Sequence, residues 1–256
     1  MKGRDRLPVS AVVITLNEQA HIAECLRSLC WADERLVVDS GSTDETCAIA
    51  RSLGARVIHH PWEGFGAQKQ FATEQARFDW VLNVDADERV SPALARSIGE
   101  AMQSPTQPAA YRCNFRHRML GCWLRHGEAW PDPHVRFYDR RRAHWVPRAI
   151  HEYVLVDGPI GRLDGCIEHC TAESIAELFA KINRYTDVQA RLLVEQRRRI
   201  GLLQILGNPA WRFLRNYLLR LGVLDGVPGL VHATQAALTS FLKYAKAYEM
   251  ARRERS

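Results

Sequence analysis

Long apolar runs are absent from this chain of 256 residues. No uninterrupted apolar stretch reaches the roughly 18 residues that a membrane-spanning helix needs. The amino-terminal segment 1–8 is basic and lacks the apolar core of a secretory signal, so we expect a cytoplasmic protein. The glycine-rich fingerprints G-x-G-x-x-G and G-x-x-x-x-G-K-S/T are also missing, which disfavours dinucleotide-binding and P-loop proteins.

Cysteine occurs seven times, an odd number, which argues against a disulfide framework and for a reducing compartment. Cys166 and Cys170 bracket three residues that include His169, a spacing that invites a zinc interpretation. The second pair of cysteines that such a site uses is lacking. We therefore expect no metal role for the thiols.

The composition is that of a soluble globular protein, with 46% hydrophobic and 25% charged residues. The net charge of +6 is unevenly placed: residues 171–256 carry 14 Lys and Arg against 7 Asp and Glu, whereas residues 1–170 carry 21 against 22. The carboxyl-terminal third therefore favours an anionic partner.

Strand and helix patterns alternate through the first hundred residues, which predicts an α/β fold with a mostly parallel sheet and crossover helices. The predicted strands are Val9–Leu16, Arg35–Val38, Ala55–His59 and Trp80–Val84, and the predicted helices are Ala20–Trp31, Asp44–Leu53, Phe65–Ala76 and Pro92–Met102. Ser42 or Thr43 can cap the second of these helices.

Periodicity weakens after residue 103, where we expect an α+β half that closes over the sheet. Glu173–Arg199 has a helical pattern, and Leu202–Met250 predicts two or three amphipathic helices with breaks at 207–209 and 222–229. The pattern divides the chain into an α/β domain, 1–170, and a basic helical extension, 171–256.

Polar clusters follow three of the predicted strands. Asp85 and Asp87 come directly after the fourth strand, where carboxylates two residues apart can bind a divalent cation that bridges a diphosphate. This pair alone is a weak signal, since a solvated turn has the same composition. Clusters at 15–18 and 39–44 close the first and second strands, and ligands of open α/β sheets bind at the carboxyl ends of strands.

With ITLNE, VVDSGSTDET and NVDADE in this order, the segment from Val9 to His151 resembles the family 2 glycosyltransferases of GT-A fold. The resemblance implies a nucleotide-sugar donor and a Mn²⁺ or Mg²⁺ ion. It implies that Thr15, Asn17, Glu18 and Ser42 line the nucleotide, Asp39 binds the base, Lys69 binds phosphate, Asp85 binds ribose or metal, Asp87 is the principal metal ligand and His151 completes the metal shell. Asp44 has the alternative role of capping its helix.

The resemblance also implies that the sugar is transferred with inversion, which needs a base to deprotonate the acceptor hydroxyl. The family supplies it from a Glu-Asp pair that is followed four residues later by Arg. Here Pro131 replaces the first acid, so Asp132 is the predicted catalytic base and Arg136 its partner or a phosphate contact. Glu128 and Glu152 stay open as alternatives.

The segments WPDPHVRFYDRR, IHEYV and LGVLDGVPGLVHATQAALTSFLKYAKAYE resemble lipopolysaccharide core β-glucosyltransferases over nearly the whole chain. This implies UDP-glucose as donor, with other sugars open, and a lipid-anchored saccharide as acceptor, a core heptose first. Pro209–Leu224 independently combines aromatic residues with arginines, as interfacial helices do, so we expect peripheral attachment to the anionic inner face of the cytoplasmic membrane. The alternative is that these helices only pack on the catalytic domain.

Other functions fit less well. A polyprenyl-phosphate glycosyltransferase would share the donor chemistry and need no strong base. The basic extension carries no nucleic-acid-binding signature, so we expect no nucleic-acid partner. A non-catalytic membrane-surface protein would have no use for the intact DADE cluster at 85–88.

Overall fold

The computed structural model describes residues 7–146, 152–170 and 175–253. Two compact units divide the chain. The first comprises Met1–Phe115 and Pro133–His169, and the second comprises Arg116–Asp132 and Cys170–Ser256. The second unit thus includes the segment 116–132 as well as the helices; the boundary at residue 170 stays a prediction.

Parallel strands form one half of the main sheet, in the order β3-β2-β1-β4. Their bounds are β1 Leu7–Thr15, β2 Ala32–Asp39, β3 Arg56–His59 and β4 Trp80–Asp85, and the helices of this part are α1 Ile22–Ser28, α2 Thr46–Ser52, α3 Phe65–Glu74 and α4 Pro92–Gln103. Alternate residues of β1 enter two different hydrophobic clusters, Val13 one and Val12 and Ile14 the other. The strand is therefore buried on both faces, which explains its continuous apolar sequence.

The sheet continues from β4 through β8, β6 and β11 to β5, and β7 pairs with β6. These strands are β5 Glu88–Val90, β6 Ala110–Met119, β7 Cys122–Trp123, β8 Asp132–Asp139 and β11 Ile160–Cys170, while β9 Ala143–Val146 and β10 Tyr153–Val156 form a separate pair. The pairs β4/β8 and β5/β11 are antiparallel. The expectation of a separate half that closes over the sheet is wrong, since these strands extend the same sheet.

Helices dominate the second unit. They are α5 Ile175–Glu195, α6 Asn208–Leu214 and α7 Gly226–Arg253, with π-helical turns at Leu203–Gly207 and Arg215–Leu219 and a 3₁₀ turn at Gly222–Asp225. At the predicted break at 207–209 the backbone stays helical and changes type: the π-helical turn ends at Gly207 and α6 begins at Asn208, with Pro209 in its first turn. The predicted break at 222–229 is confirmed at its start by the 3₁₀ turn.

A small apolar cluster joins 116–132 to these helices, with Met119, Leu124 and Ala129 packed against Leu178 and Ile182 of α5. Within the described ranges, none of the helices combines the length and the apolarity that crossing a bilayer requires.

Candidate active site

The loops that follow β1 and β2 are joined by hydrogen bonds. The N–H of Asn17 donates to the Ser42 hydroxyl at 2.8 Å, and the Asn17 side-chain oxygen accepts from the N–H of Thr43 at 2.8 Å. Ser42 and Thr43 are therefore occupied by the loop, and the prediction that one of them caps the helix is wrong. Helix α2 begins at Thr46, whose N–H donates to the Asp44 carboxylate.

Asp39 ends β2 and is almost fully buried. Its carboxylate accepts hydrogen bonds from the N–H groups of Gly41 and Ser42 at 2.9 and 3.0 Å and from the Ser42 hydroxyl at 2.5 Å. Burial opposes ionisation, but these hydrogen bonds outweigh it and lower the pKa of Asp39. Asp39 is therefore a fixed carboxylate acceptor at the sheet edge.

Thr15 and Glu18, two further predicted nucleotide residues, lie at the same edge. Thr15 pairs with Asp39 in the sheet register and is buried, and its hydroxyl has no hydrogen-bond partner among the described residues. The N–H of Glu18 donates to the Thr46 hydroxyl. The sequence predicted no individual role for Gln68. Its side-chain nitrogen donates to the Ser40 hydroxyl at 3.0 Å and so links helix α3 to the loop that follows β2.

Lys69 is 2% exposed, which is unusual for lysine and requires paired anions. Its Nζ lies 3.2 Å from Oδ1 of Asp85 and 3.2 Å from Oε1 of Glu152, and 5.0 Å from the centre of the Trp145 ring. Glu152, an alternative base in the sequence, is therefore neutralised by a buried cation.

Arg136 is a second cation on the same carboxylate. One terminal nitrogen lies 3.5 Å from Asp85 and 3.4 Å from Glu88, and the guanidinium stacks over the Phe115 ring. Burial opposes the ionisation of Asp85, but the charges of Lys69 and Arg136 outweigh it and hold the pKa of that carboxyl well below its usual range. Burial raises the pKa of Glu88, which also accepts the N–H of Asp85.

Asp87 meets a partner that the sequence did not suggest. Its Oδ2 lies 3.0 Å from Nε2 of His169, at the end of β11. Carboxylate and imidazole are both ligands for Mn²⁺, and Mg²⁺ commonly takes only one or two protein carboxylates together with substrate phosphates. The described residues contain no cage of three such side chains. His151, the predicted third ligand, lies outside the described residues.

The side-chain oxygen Oδ1 of Asp85 is also suited to bind a divalent cation. It is buried and makes no hydrogen bond of good geometry, although the Lys69 ammonium lies 3.2 Å away. Asp85 and Asp87 are thus the described carboxylates that would hold a divalent cation, and His169 lies beside Asp87.

Asp132, the predicted base, belongs to the second unit, where its Oδ2 lies 3.0 Å from Nε2 of His117. Glu128, the other alternative, is clamped: Arg212 donates to it at 3.1 Å, and Arg215 donates to its second oxygen. Of the three carboxylates considered as bases, Glu128 and Glu152 thus have Arg or Lys partners.

Glu88 and His169 were not identified from the sequence. Glu88 is the last residue of the DADE cluster and was given no role of its own, although it is buried at the start of the short strand β5. His169 was set aside with its neighbouring cysteines, and no local signal links it to Asp87, 82 residues away.

The model of the family described as Glycosyl transferase family 2 matches residues 10–154. The chain is 31% identical to the lipopolysaccharide core biosynthesis glycosyltransferase LpsC of Rhizobium meliloti over 95% of this chain and 93% of that protein. It is also 33% identical to the uncharacterized glycosyltransferase RT0209 of Rickettsia typhi, over 97% of this chain and 89% of the relative.

Among solved structures, the mannosyltransferase PcManGT of Pyrobaculum calidifontis, in complex with GDP-Man and Mn²⁺, matches 98% of this chain and 88% of its own, with a TM-score of 0.51 and 17% identity. This likeness concerns the fold, and it confirms the predicted GT-A architecture with long carboxyl-terminal helices. The family match and the two relatives show the rest: the chain belongs to glycosyl transferase family 2 and is a glycosyltransferase.

Proposed function

We propose that this enzyme transfers a sugar, glucose in the first instance, from a UDP-linked donor to a lipid-anchored saccharide such as the lipopolysaccharide inner core, with inversion and with a divalent cation. One observation carries the proposal. The ends of three parallel strands place Asp39 and Asp85 on either side of β1, opposite Thr15 and Ile14 in the register. Neighbouring strands lie about 4.8 Å apart, so the backbones of Asp39 and Asp85, which flank β1, are about 10 Å apart, a span that a nucleoside diphosphate can bridge.

Three buried atoms at this edge support a polar ligand. The Thr15 hydroxyl, Oδ1 of Asp85 and one terminal nitrogen of Arg136 have no hydrogen-bond partner among the described residues. Unsatisfied buried groups of this kind are costly, about 1–3 kcal/mol each, unless a ligand or water completes them. We assign Asp39 to the base, Asn17, Glu18 and Ser42 to the nucleotide loop, and Lys69 with Arg136 to the phosphates.

Asp87 and Asp85 would hold the cation, with His169 beside Asp87 and with His151 as a further proposed ligand. When bound, the cation would neutralise charge on the departing nucleoside diphosphate. PcManGT, of the same fold, is a complex with Mn²⁺. Lys69 and Arg136 add fixed positive charge around Asp85 where a diphosphate accumulates negative charge.

Asp132 is the proposed base. It would accept the proton of the acceptor hydroxyl as that oxygen attacks the sugar, and its bond to His117 holds the carboxylate in place. The two alternatives are occupied by cations: Glu128 is held by Arg212 and Arg215, and Glu152 is held by Lys69. Those cations compete with a proton for the oxygens that a base would need, which disfavours Glu128 and Glu152 for this role.

The acceptor class rests on the second unit. LpsC, at 31% identity, is a lipopolysaccharide core biosynthesis glycosyltransferase. Many large apolar side chains between residues 202 and 230 are exposed, among them Leu202, Leu203, Leu206, Trp211, Leu214, Leu218, Leu219, Leu221 and Leu224. Exposed apolar residues beside the exposed Arg220 suit the inner face of an anionic membrane, where a lipid-anchored saccharide would be presented.

Calorimetric titration tests the donor half of this proposal. Wild type is titrated with UDP, GDP, ADP and CMP, with and without Mn²⁺, beside Asp87→Ala and the control Asp164→Ala, an exposed carboxylate on β11. We expect UDP binding that needs Mn²⁺, is lost in Asp87→Ala and persists in Asp164→Ala. Absence of nucleotide binding by folded wild type would overturn the proposal, and tighter binding of another nucleotide would replace UDP.

A further inference from the structure

A buried polar cluster in the second unit takes no part in donor binding or in proton transfer. Gly127 borders it: a methyl group placed on Gly127 would lie 3.4 Å from the side-chain oxygen of Asn216 and 3.9 Å from Nδ1 of His232. The loop that contains Gly127 is held firmly. The Gly127 N–H donates to the Arg220 carbonyl, and Asp225 accepts from the N–H and the ring of His126.

Asn216 is the anomaly in this cluster. Its side chain is 1% exposed, and neither its amide nitrogen nor its amide oxygen has a hydrogen-bond partner among the described residues. It lies in the π-helical turn Arg215–Leu219, a distortion that frequently accompanies functional sites. A buried amide with both ends unsatisfied is destabilising unless another molecule supplies the missing donor and acceptor.

Neighbouring groups repeat the pattern. The side-chain oxygen of Gln235 and Nε of Arg215 are also buried without partners in the described part of the chain. Gln235 follows His232 by three residues on α7, so the two share a helix face. The cluster therefore offers unused donors and acceptors from several elements.

The electrostatics favour an uncharged ligand. Glu128 already occupies Arg212 and Arg215, which leaves little free positive charge for a phosphate. Burial, aided by the nearby His117 and Arg212 side chains, lowers the pKa of His232 to about 4, so its ring is neutral at pH 7 with one donor and one acceptor. Amides and neutral imidazole match hydroxyl groups, each of which both donates and accepts.

The position relative to the base gives the ligand its identity. The Leu124 N–H donates to the carbonyl of His117, whose ring contacts Asp132, and Gly127, which borders the cluster, follows three residues later. We infer that Asn216, His232 and Gln235 bind hydroxyl groups of the acceptor saccharide beside the hydroxyl that Asp132 deprotonates. This inference rests on the proposed function, because it takes Asp132 as the base and a saccharide as the acceptor.

Asn216→Leu separates this role from a structural one. Leucine has nearly the same size and no polar atoms, so removal of an unsatisfied amide leaves the melting temperature unchanged or raises it by about 2–4 °C. The same change raises KM for the acceptor roughly tenfold, the value of one or two neutral hydrogen bonds, and leaves UDP affinity unchanged. A merely structural amide would show the reverse: a lower melting temperature and an unchanged KM.

Gln235→Met is the second variant, and Thr234→Val, an exposed neighbour on α7, is the matched control. The probes are a lipid A-linked core oligosaccharide that ends in heptose, and free heptose. If wild type binds UDP but transfers to neither, the proposed acceptor class fails and the inference fails with it. If wild type transfers and both variants keep the wild-type KM, the inference alone is overturned. A raised KM with both probes places the effect on the saccharide rather than on its lipid.

Discussion

The two units present different surfaces to a ligand. In the first unit the carboxylates at the strand ends have partners within the unit: Asp39 has three hydrogen-bond donors, Asp85 has Lys69 and Arg136, and Asp87 has His169. In the second unit large apolar side chains between residues 202 and 230 face solvent. Each unit also contains one buried amide whose two ends have no partner among the described residues, Asn83 in the first and Asn216 in the second. The first unit thus offers fixed charge to a ligand, whereas the second offers exposed apolar surface.

This difference follows from the scaffolds. Parallel strands that are buried on both faces hold their carboxyl ends in fixed positions. Charged groups fixed in this way can stabilise the negative charge that develops on the leaving group of a transferase. The second unit has only small apolar clusters, and its loop at 125–128 depends on ion pairs and hydrogen bonds to the helices. The two parts should therefore respond differently to substitution.

The largest expected effect comes from Asp132→Asn. Loss of the proposed base should lower kcat about 100- to 10,000-fold and leave UDP binding unchanged, since the nucleotide residues lie in the first unit. Transfer assays and calorimetry on the same preparation measure both, with the exposed Glu195→Gln as control. Retained activity would break the assignment and favour a phosphate acceptor, which needs no strong base.

Lys69→Met tests the preorganised charge of the first unit. The change leaves Glu152 without this cation and Asp85 with Arg136 alone, and we expect a loss of about 2 kcal/mol in unfolding free energy at pH 7, less than for a fully buried pair because the carboxylates are partly exposed. Urea unfolding of wild type and variant gives the value.

The pH dependence of that loss has a definite sign. Asp85 has a lowered pKa in the folded wild type, so its stabilisation is present above the ordinary carboxyl pKa near 4 and is lost as the pH falls through the lower, folded value. The variant keeps only the part of this stabilisation that Arg136 supplies, so the difference between the two proteins should shrink below about pH 4. A difference that grows on acidification would show that Lys69 does not act through the carboxylates.

The donor side was largely predictable because its signals are local. An apolar strand and the polar residues that end it are adjacent in the chain, so Thr15, Asn17, Asp39 and Asp85 could be placed at one sheet edge from their positions in the sequence alone. Whether each acts as assigned stays a prediction. The strands after residue 103 could not be placed, because their mixed sequences pair with partners far away in the chain.

The second unit illustrates what local reasoning lacks. His126 meets Asp225, and Glu128 meets Arg212, across separations of 99 and 84 residues, and no periodicity encodes such pairs. The helical backbone that continues across 207–209 was not predicted, because proline is typical both of a break and of the first turn of a helix. For the long-range pairs and for Pro209 alike, the contacts depend on where the residue lies in the fold, which its residue type does not indicate.

Glu128→Gln tests the ion pairs that hold the loop at 125–128 in the second unit. It weakens the clamp of Arg212 and Arg215 on the loop that precedes Asp132, and we expect a loss of about 1 kcal/mol, because the arginines are partly exposed. The acceptor KM should rise while UDP affinity stays constant. Glu249→Gln, which breaks only the exposed pair with Arg253, is the control. Equal effects of the two changes would deny the clamp any role in the acceptor site.

The smallest effect on stability should come from Leu203→Ser and Leu219→Ser, which alter side chains 78% and 66% exposed. Folding should change by less than about 0.5 kcal/mol, because little buried area is lost. Vesicle binding should change more: insertion of each leucine into the interface contributes part of the roughly 1.5–3 kcal/mol of full burial, so the double variant should bind phosphatidylglycerol vesicles about tenfold more weakly. Leu155→Ser, half exposed in the first unit, is the control and should bind like wild type. If wild type, the double variant and Leu155→Ser bind the vesicles equally well, these exposed leucines do not bind the membrane.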